Sequence, residues 1–373
     1  MDYSTILSKR ACSLQPSGIR KFFDMLENMK DVVALTVGQP DFITPWHIRE
    51  AGIRSLEEGR TYYTSNSGLM ELRTELSKYA SRRFGLEYDP KDEILVTVGG
   101  SEAIDLALRA IVDLGDEVIV PQPSFVCYDP LVTMAGGVPV ILPLKKENGF
   151  VLTPEELEEY ITPKTKALVL PFPNNPTGSI MTKEQLLAIA PVIIKHNLVV
   201  ISDEIYAELT YGRKHVSVAS LEGMRDALSL LDLCMASNGE INLDVVKTAS
   251  GIGGDNSCEN LVEAVKNGDG DIEYMRDEYN GRRRLIVNGL REAGIDCMMP
   301  DGAFYVFADI SRFGMTSEEF CEKLLAEKGV AIVPGTAFGA SGEGYARISY
   351  AYSATHIKKA ILRITEFVKD LSK

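Results

Sequence analysis

The sequence predicts an α/β protein, with a large domain on a mainly parallel sheet and a smaller α+β domain beside it. Three observations carry this. Short apolar runs alternate with amphipathic stretches through the middle of the chain, as strands buried on both faces and their covering helices do. Helix-start signals separate those runs, at Thr153-Pro154 and at Thr182-Lys183-Glu184-Gln185. The 373 residues also exceed one core, since single cores stop growing near ~250–300 residues.

Taken in order, Ser101 to Val112 has helical apolar spacing and opens directly after Gly99-Gly100, a turn expected to follow a strand. Asp116 to Val120 and Val138 to Leu142 read as short buried strands. Thr153 is placed to cap a helix that has Pro154 at its first position and acids in its first turn. Ala167 to Leu170 is a strand run, Thr182 to Gln185 a capping box, and Leu198 to Ile201 another strand. Ligands of parallel sheets sit beyond the carboxyl ends of the strands. Polar motifs stand at those ends here: Gly99-Gly100-Ser101, Asn174-Asn175-Pro176 and Asp203. Towards the C-terminus, Pro300 to Ala308, Val330 to Gly335 and Ala346 to Tyr350 read as strands. A helix capped near Thr316, with Glu319 in the box position, lies among them, and Ile357 to Leu371 closes the chain.

The formal net charge of −14 argues against nucleic acid or an anionic membrane as partner, because phosphate would repel the surface. No run approaches the ~18–20 apolar residues that span a bilayer; the richest, Ala190 to Ile201, is broken by Lys195-His196. The N-terminus lacks a basic start followed by an apolar run, so no secretory signal is expected. Six scattered cysteines without a Cys-x-x-Cys read as reduced thiols of a cytoplasmic protein. The four histidines are isolated, and no metal site is expected.

Asn174-Asn175-Pro176-Thr177-Gly178, Ser202-Asp203-Glu204-Ile205-Tyr206 and Tyr345-Ala346-Arg347-Ile348-Ser349-Tyr350 together resemble the class I/II family of fold-type I pyridoxal-phosphate aminotransferases, aspartate/aromatic type, over most of the chain. The resemblance implies residues 46–285 as the large domain, with 225–262 atypical, and 1–45 plus 286–373 as the small one. It implies pyridoxal 5′-phosphate (PLP) as cofactor, an amino acid and a 2-oxo acid as substrates, and a homodimer. Gly100, Ser101 and Glu102 would cradle the phosphate at a helix start; taken alone, Gly-Gly-Ser fits any strand-to-helix turn. Tyr63 matches the tyrosine that reaches a neighbouring subunit's phosphate. Asp203 would pair with the pyridine nitrogen, its plain alternative being a helix cap. Tyr206 and Asn175 would face the phenolic oxygen. Phe125 would stack on the ring, with core packing as its alternative. Arg347 matches the arginine that grips the substrate's α-carboxylate, and Gly38 the loop that closes over it.

The family carries PLP on a lysine downstream of the ring-pairing aspartate, and the matching window here reads Leu231 to Glu240 with no lysine. Ala236 stands at the expected position. Lys247, 44 residues past Asp203, is the nearest substitute, and a surface lysine is its plain reading. The resemblance fades at Gly223-Met224 and returns near Leu261, across a stretch shorter than the family's pattern. Two rivals to a working aminotransferase follow. One is a non-catalytic or frameshifted relative lacking the lysine; the other is a PLP-dependent C–S β-lyase built on the same motifs.

Overall fold

The computed structural model describes residues 6–14, 18, 31–224 and 258–372. Ala236 and Lys247 therefore lie outside the described residues. The described part of the large sheet has four parallel strands, β2 (Glu117–Gln122), β3 (Val138–Pro143), β4 (Thr165–Leu170) and β5 (Val199–Ser202), in the order β3-β2-β4-β5. Alternate residues of each strand serve opposite faces, as the two-residue period of a strand requires. Val118, Val120, Ala167, Val169 and Ile201 join Ile104 and Leu108 of one helix, Gly100–Ile111. Ile119, Leu168, Leu170 and Val200 join Leu186, Ile189 and Ile193 of another, Lys183–Lys195. Each such side chain, fully buried, contributes about 1.5–3 kcal/mol. This two-sided burial is why the strands read as unbroken apolar runs.

Local start signals are realised as predicted. Thr153 accepts from the Glu156 amide with Pro154 at the first helical position, and Thr182 with Gln185 forms a reciprocal capping box. Thr316 and Glu319 form another at the head of Ser317–Lys328.

Three expectations change. The strand expected before Gly99-Gly100 is not formed among the described residues, where Ile94 to Val98 joins no sheet. Its Val96 amide bonds the Ser67 carbonyl instead, and Val98 is 92% exposed. The Pro300 strand begins only at Tyr305, because Asp301 and Gly302 turn back to bond Gly178. The run from Val330 splits in two: Val330–Ala331 (β8) pairs with Val33–Ala34 (β1), and Val333–Pro334 (β9) enters a second sheet. That sheet is antiparallel, in the order β6-β7-β10-β9, with β6 Asp296–Cys297, β7 Tyr305–Asp309 and β10 Tyr345–Ser349.

In chain order the helices used below are α1 (Lys9–Ser13), α2 (Trp46–Glu57), α3 (Met70–Phe84), α4 (Gly100–Ile111), α5 (Tyr128–Ala135), α6 (Pro154–Glu159), α7 (Lys183–Lys195), α8 (Cys258–Asn267), α9 (Asp269–Glu292), α10 (Ser317–Lys328) and α11 (Ala354–Leu371). Helix α9 runs unbroken through residue 285 and packs on α11, β6 and β7.

Candidate active site

A cleft of about 280 Å³ opens beyond the ends of β4 and β5, lined by Gly99, Gly100, Ser101, Phe125, Cys127, Tyr128, Asn175, Asp203 and Tyr206 among others. Its size is near the lower end of small-molecule pockets. The sequence forms it in stages. Strand β5 ends at Ser202, and the Asp203 amide then bonds the Leu170 carbonyl, which carries the chain across the head of β4. Beyond β4, Asn174 Oδ1 accepts from the amide and hydroxyl of Thr177, fixing the turn that presents Asn175.

Asp203 is the acid of the cleft. Tyr128 Oη donates to its Oδ2 at 2.7 Å, and the Ile205 amide donates to Oδ1 at 3.2 Å. Burial pushes this carboxyl up; the two hydrogen bonds pull it down, and the charge of Glu204 pushes it up again. No helix follows Asp203, so its bond to Ile205 is a turn contact and not a helix cap. Tyr206 is 4% exposed, and its Oη lies 3.1 Å from Tyr305 Oη.

On the floor, α4 starts at Gly100 with Gly99 at φ 95°, a left-handed conformation that favours glycine. The amides of Glu102 and Ala103 return to the Gly99 carbonyl. Those of Gly100 and Ser101 precede any intrahelical acceptor and sit at the positive end of the helix. Glu102 departs from its expected place in the cradle: its amide is engaged by Gly99, its Oε2 accepts from the Val98 amide, and it does not line the cleft. Phe125 lines the cleft and also packs against the core, its plain alternative.

Arg347, on β10, is 3% exposed and not a surface residue. Its Nη1 donates to Asn175 Oδ1 at 3.0 Å and its Nη2 to the Thr36 carbonyl. The guanidinium lies between the rings of Tyr305 and Phe338, 4.5 and 4.7 Å from their centroids. Gly38 packs onto Tyr305: a Cβ there would come within 1.8 Å of the Tyr305 hydroxyl. Tyr63 is not brought to the cleft of its own chain and is 98% exposed.

Sequence reasoning missed Tyr128 and Tyr305. Tyr128 stands at the first position of α5, three residues past Phe125, and its ring meets that of Phe125 edge-on at 6.2 Å. Tyr305 meets Tyr206 only through tertiary structure. A larger hollow of about 460 Å³ lies beside Ser124, Asp129 and Glu318. It contains no motif residue, and its two carboxylates do not suit an anionic ligand.

The residues present fit PLP. A shielded carboxylate, spare amides at a helix start and an aromatic wall answer its ring nitrogen, phosphate and ring face. None of the described residues lining the cleft is a lysine, and the sequence has none between Lys214 and Lys247. Among the described residues no cluster suits a metal, and no helix is long and apolar enough to cross a membrane.

Comparison with known proteins agrees. The family described as "Aminotransferase class I and II" matches residues 30–250 and 253–364. The chain is 44% identical to YugH of Bacillus subtilis strain 168, over 98% of this chain and 99% of that one. It is 40% identical to an aspartate aminotransferase of Pyrococcus abyssi, over 98% of each. Among solved structures, the aspartate aminotransferase of Thermus thermophilus with maleate superposes with a TM-score of 0.85 at 36% identity, covering 96% of this chain and 99% of that one. The two sequence alignments run over 381 and 389 positions against a chain of 373, so residues present in these relatives are missing here.

Proposed function

The chain belongs to the class I and II aminotransferases, PLP-dependent enzymes that move an amino group between an amino acid and a 2-oxo acid, and from that premise we propose that the cleft beyond β4 and β5 is its PLP site. When bound, PLP supplies an electron sink for the carbanion formed at the amino acid's Cα. Asp203 faces the ring nitrogen; burial raises its carboxyl, and the bonds from Tyr128 and the Ile205 amide oppose that rise. Gly100 and Ser101 bind the phosphate. Tyr206 and Asn175 take the phenolic oxygen, and Phe125 excludes water from one ring face. Arg347, already aimed by Asn175 and the two flanking rings, takes the substrate carboxylate, and Gly38 lets the neighbouring loop approach it.

The chain works as a homodimer in the cytoplasm. The exposure of Tyr63 beside exposed Ile43, Trp46, Tyr62 and Met70 supports a face covered by a second copy, which Tyr63 then reaches. The four described cysteines are all free, consistent with a reducing compartment.

In this reading the replaced segment removes one function alone, the lysine that would carry PLP and move the proton at Cα. The chain as it stands then holds PLP without a covalent link and does not turn over. The observation that carries the reading is the placement of Asp203, Tyr206 and Asn175 around one cleft with the α4 start opposite. Equilibrium dialysis with PLP tests it, followed by borohydride reduction and peptide mapping. The expected result is saturable binding, weakened strongly by Asp203→Asn, with no label fixed to the chain. A label on Lys247 would overturn the non-covalent half, and binding indifferent to Asp203 would overturn the site.

A further inference from the structure

The turn that presents Asp203 is braced from behind by a second carboxylate. Glu204 is 2% exposed. Ser202 Oγ donates to its Oε1 at 2.7 Å, Ser217 Oγ to the same oxygen at 2.9 Å, and His215 Nε2 lies 2.5 Å from its Oε2. The His215 side chain is itself 8% exposed and meets Phe84 edge-on. Neither Glu204 nor His215 lines the cleft.

A second carboxylate shielded from water beside Asp203 makes Asp203 harder to ionise. Glu204 acts on Asp203 in this sense, adding to burial and opposing Tyr128 and Ile205. A ring cation is held only if Asp203 keeps its charge. An imidazole that carries a proton against Glu204 would cancel the second carboxylate's field at Asp203, and the two serines satisfy the oxygen that the imidazole does not.

We propose that Glu204 and His215 form a charge-balancing ion pair that positions the Asp203 turn and keeps Asp203 anionic for a protonated pyridine ring. Both are positioning residues acting through Asp203, and the inference rests on the PLP reading of the cleft. It makes a prediction of sign that packing alone does not. Removing the positive partner exposes Asp203 to an uncompensated neighbour, whereas removing the negative partner takes that neighbour away.

The test measures PLP affinity by equilibrium dialysis on the full chain at neutral pH, with melting of each unliganded variant followed in parallel. His215→Gln is expected to weaken PLP roughly tenfold, the factor for one pK unit at Asp203. Glu204→Gln is expected to leave affinity unchanged or tighter, and the double variant to recover it to within about threefold, since the opposing charges are then removed together. Should His215→Gln melt below the assay temperature, His215→Asn replaces it. Equal losses from His215→Gln and Glu204→Gln, with no recovery in the double variant, would overturn the charge-balancing role. Affinity unmoved by Asp203→Asn would overturn the cofactor reading itself, and the inference with it.

Discussion

The two walls of the cleft are built differently. The wall from β4 and β5 is fixed at every polar group used: Asp203 by Tyr128, Ile205 and the Leu170 carbonyl, Asn175 by Arg347, Tyr206 by Tyr305. The opposite wall descends from Ile94–Gly99, a segment without a ladder among the described residues, held by Val96 on Ser67 and Val98 on Glu102. The first wall draws its partners from β7, β10 and α5, all described. The second leads into the start of α4, with no strand beside it among the described residues. Among the described residues, the wall that carries Asp203 and Asn175 is thus held by more side-chain bonds than the wall that leads to Gly100.

The largest effect should come from restoring what the first wall lacks. Replacing residues 225–257 by a family-like segment containing Ser-Lys is expected to turn undetectable transamination into measurable turnover, and to make PLP fixable by borohydride at the new lysine. If turnover stays absent although PLP is fixed, the first wall is not the intact half that its geometry indicates.

In that repaired enzyme, Arg347→Ala comes next. Removing one partner of a buried, hydrogen-bonded charge pair costs on the order of 3–5 kcal/mol, so the KM for the amino acid should rise about 100-fold or more. A KM left where it was would remove Arg347 from the substrate site. Arg347→Lys should recover little, because a lysine keeps the charge but loses the planar fork and the stacking on Tyr305 and Phe338.

Hydrogen exchange compares the walls directly. Amides of Val199–Ser202 lie in a ladder with β4, whereas those of Leu95, Thr97 and Val98 have no strand partner among the described residues. The 94–98 segment is expected to exchange faster by an order of magnitude or more, since local opening needs fewer bonds broken. Binding of PLP should slow exchange at Gly100 and Ser101 more than at Val200. Equal protection in the two segments before PLP is added would abolish the distinction.

What the sequence made legible follows the same division. The capping boxes at Thr182 and Thr316 and the alternation in β2, β4 and β5 depend on residues close in sequence, and all are realised. The Asn175–Asp203–Tyr206 constellation was readable because its members follow strand ends at fixed spacing. The state of Ile94–Val98, which joins no strand among the described residues, was not, since a strand exists only if a neighbour pairs with it, and pairing is non-local. The same holds for Val330 to Gly335, where Ile332 stands between two pairs that join different sheets. Tyr305 and the Glu204–His215 pair escaped because their roles come from contacts across the fold.

The smallest expected effect concerns the contact of α2 with α8 and α9. His47 of α2 places Nδ1 2.7 Å from Glu263 of α8 and Nε2 2.9 Å from Asp271 of α9. Burial lowers its pKa, but the two carboxylates outweigh that and raise it above the ordinary 6.5. A group raised in this way adds stability that is complete below the unfolded value of 6.5 and is lost as pH rises through the higher folded value. The imidazole is more than a third exposed, so solvent screening limits the contribution to under ~1 kcal/mol, about 2 °C in Tm or less. His47→Gln should therefore lower Tm at pH 5.5 and leave it nearly unchanged at pH 9. A loss equal at both values would mean that His47 holds α8 by packing alone. A loss confined to the acid side would show that charge ties α2 to α8 and α9.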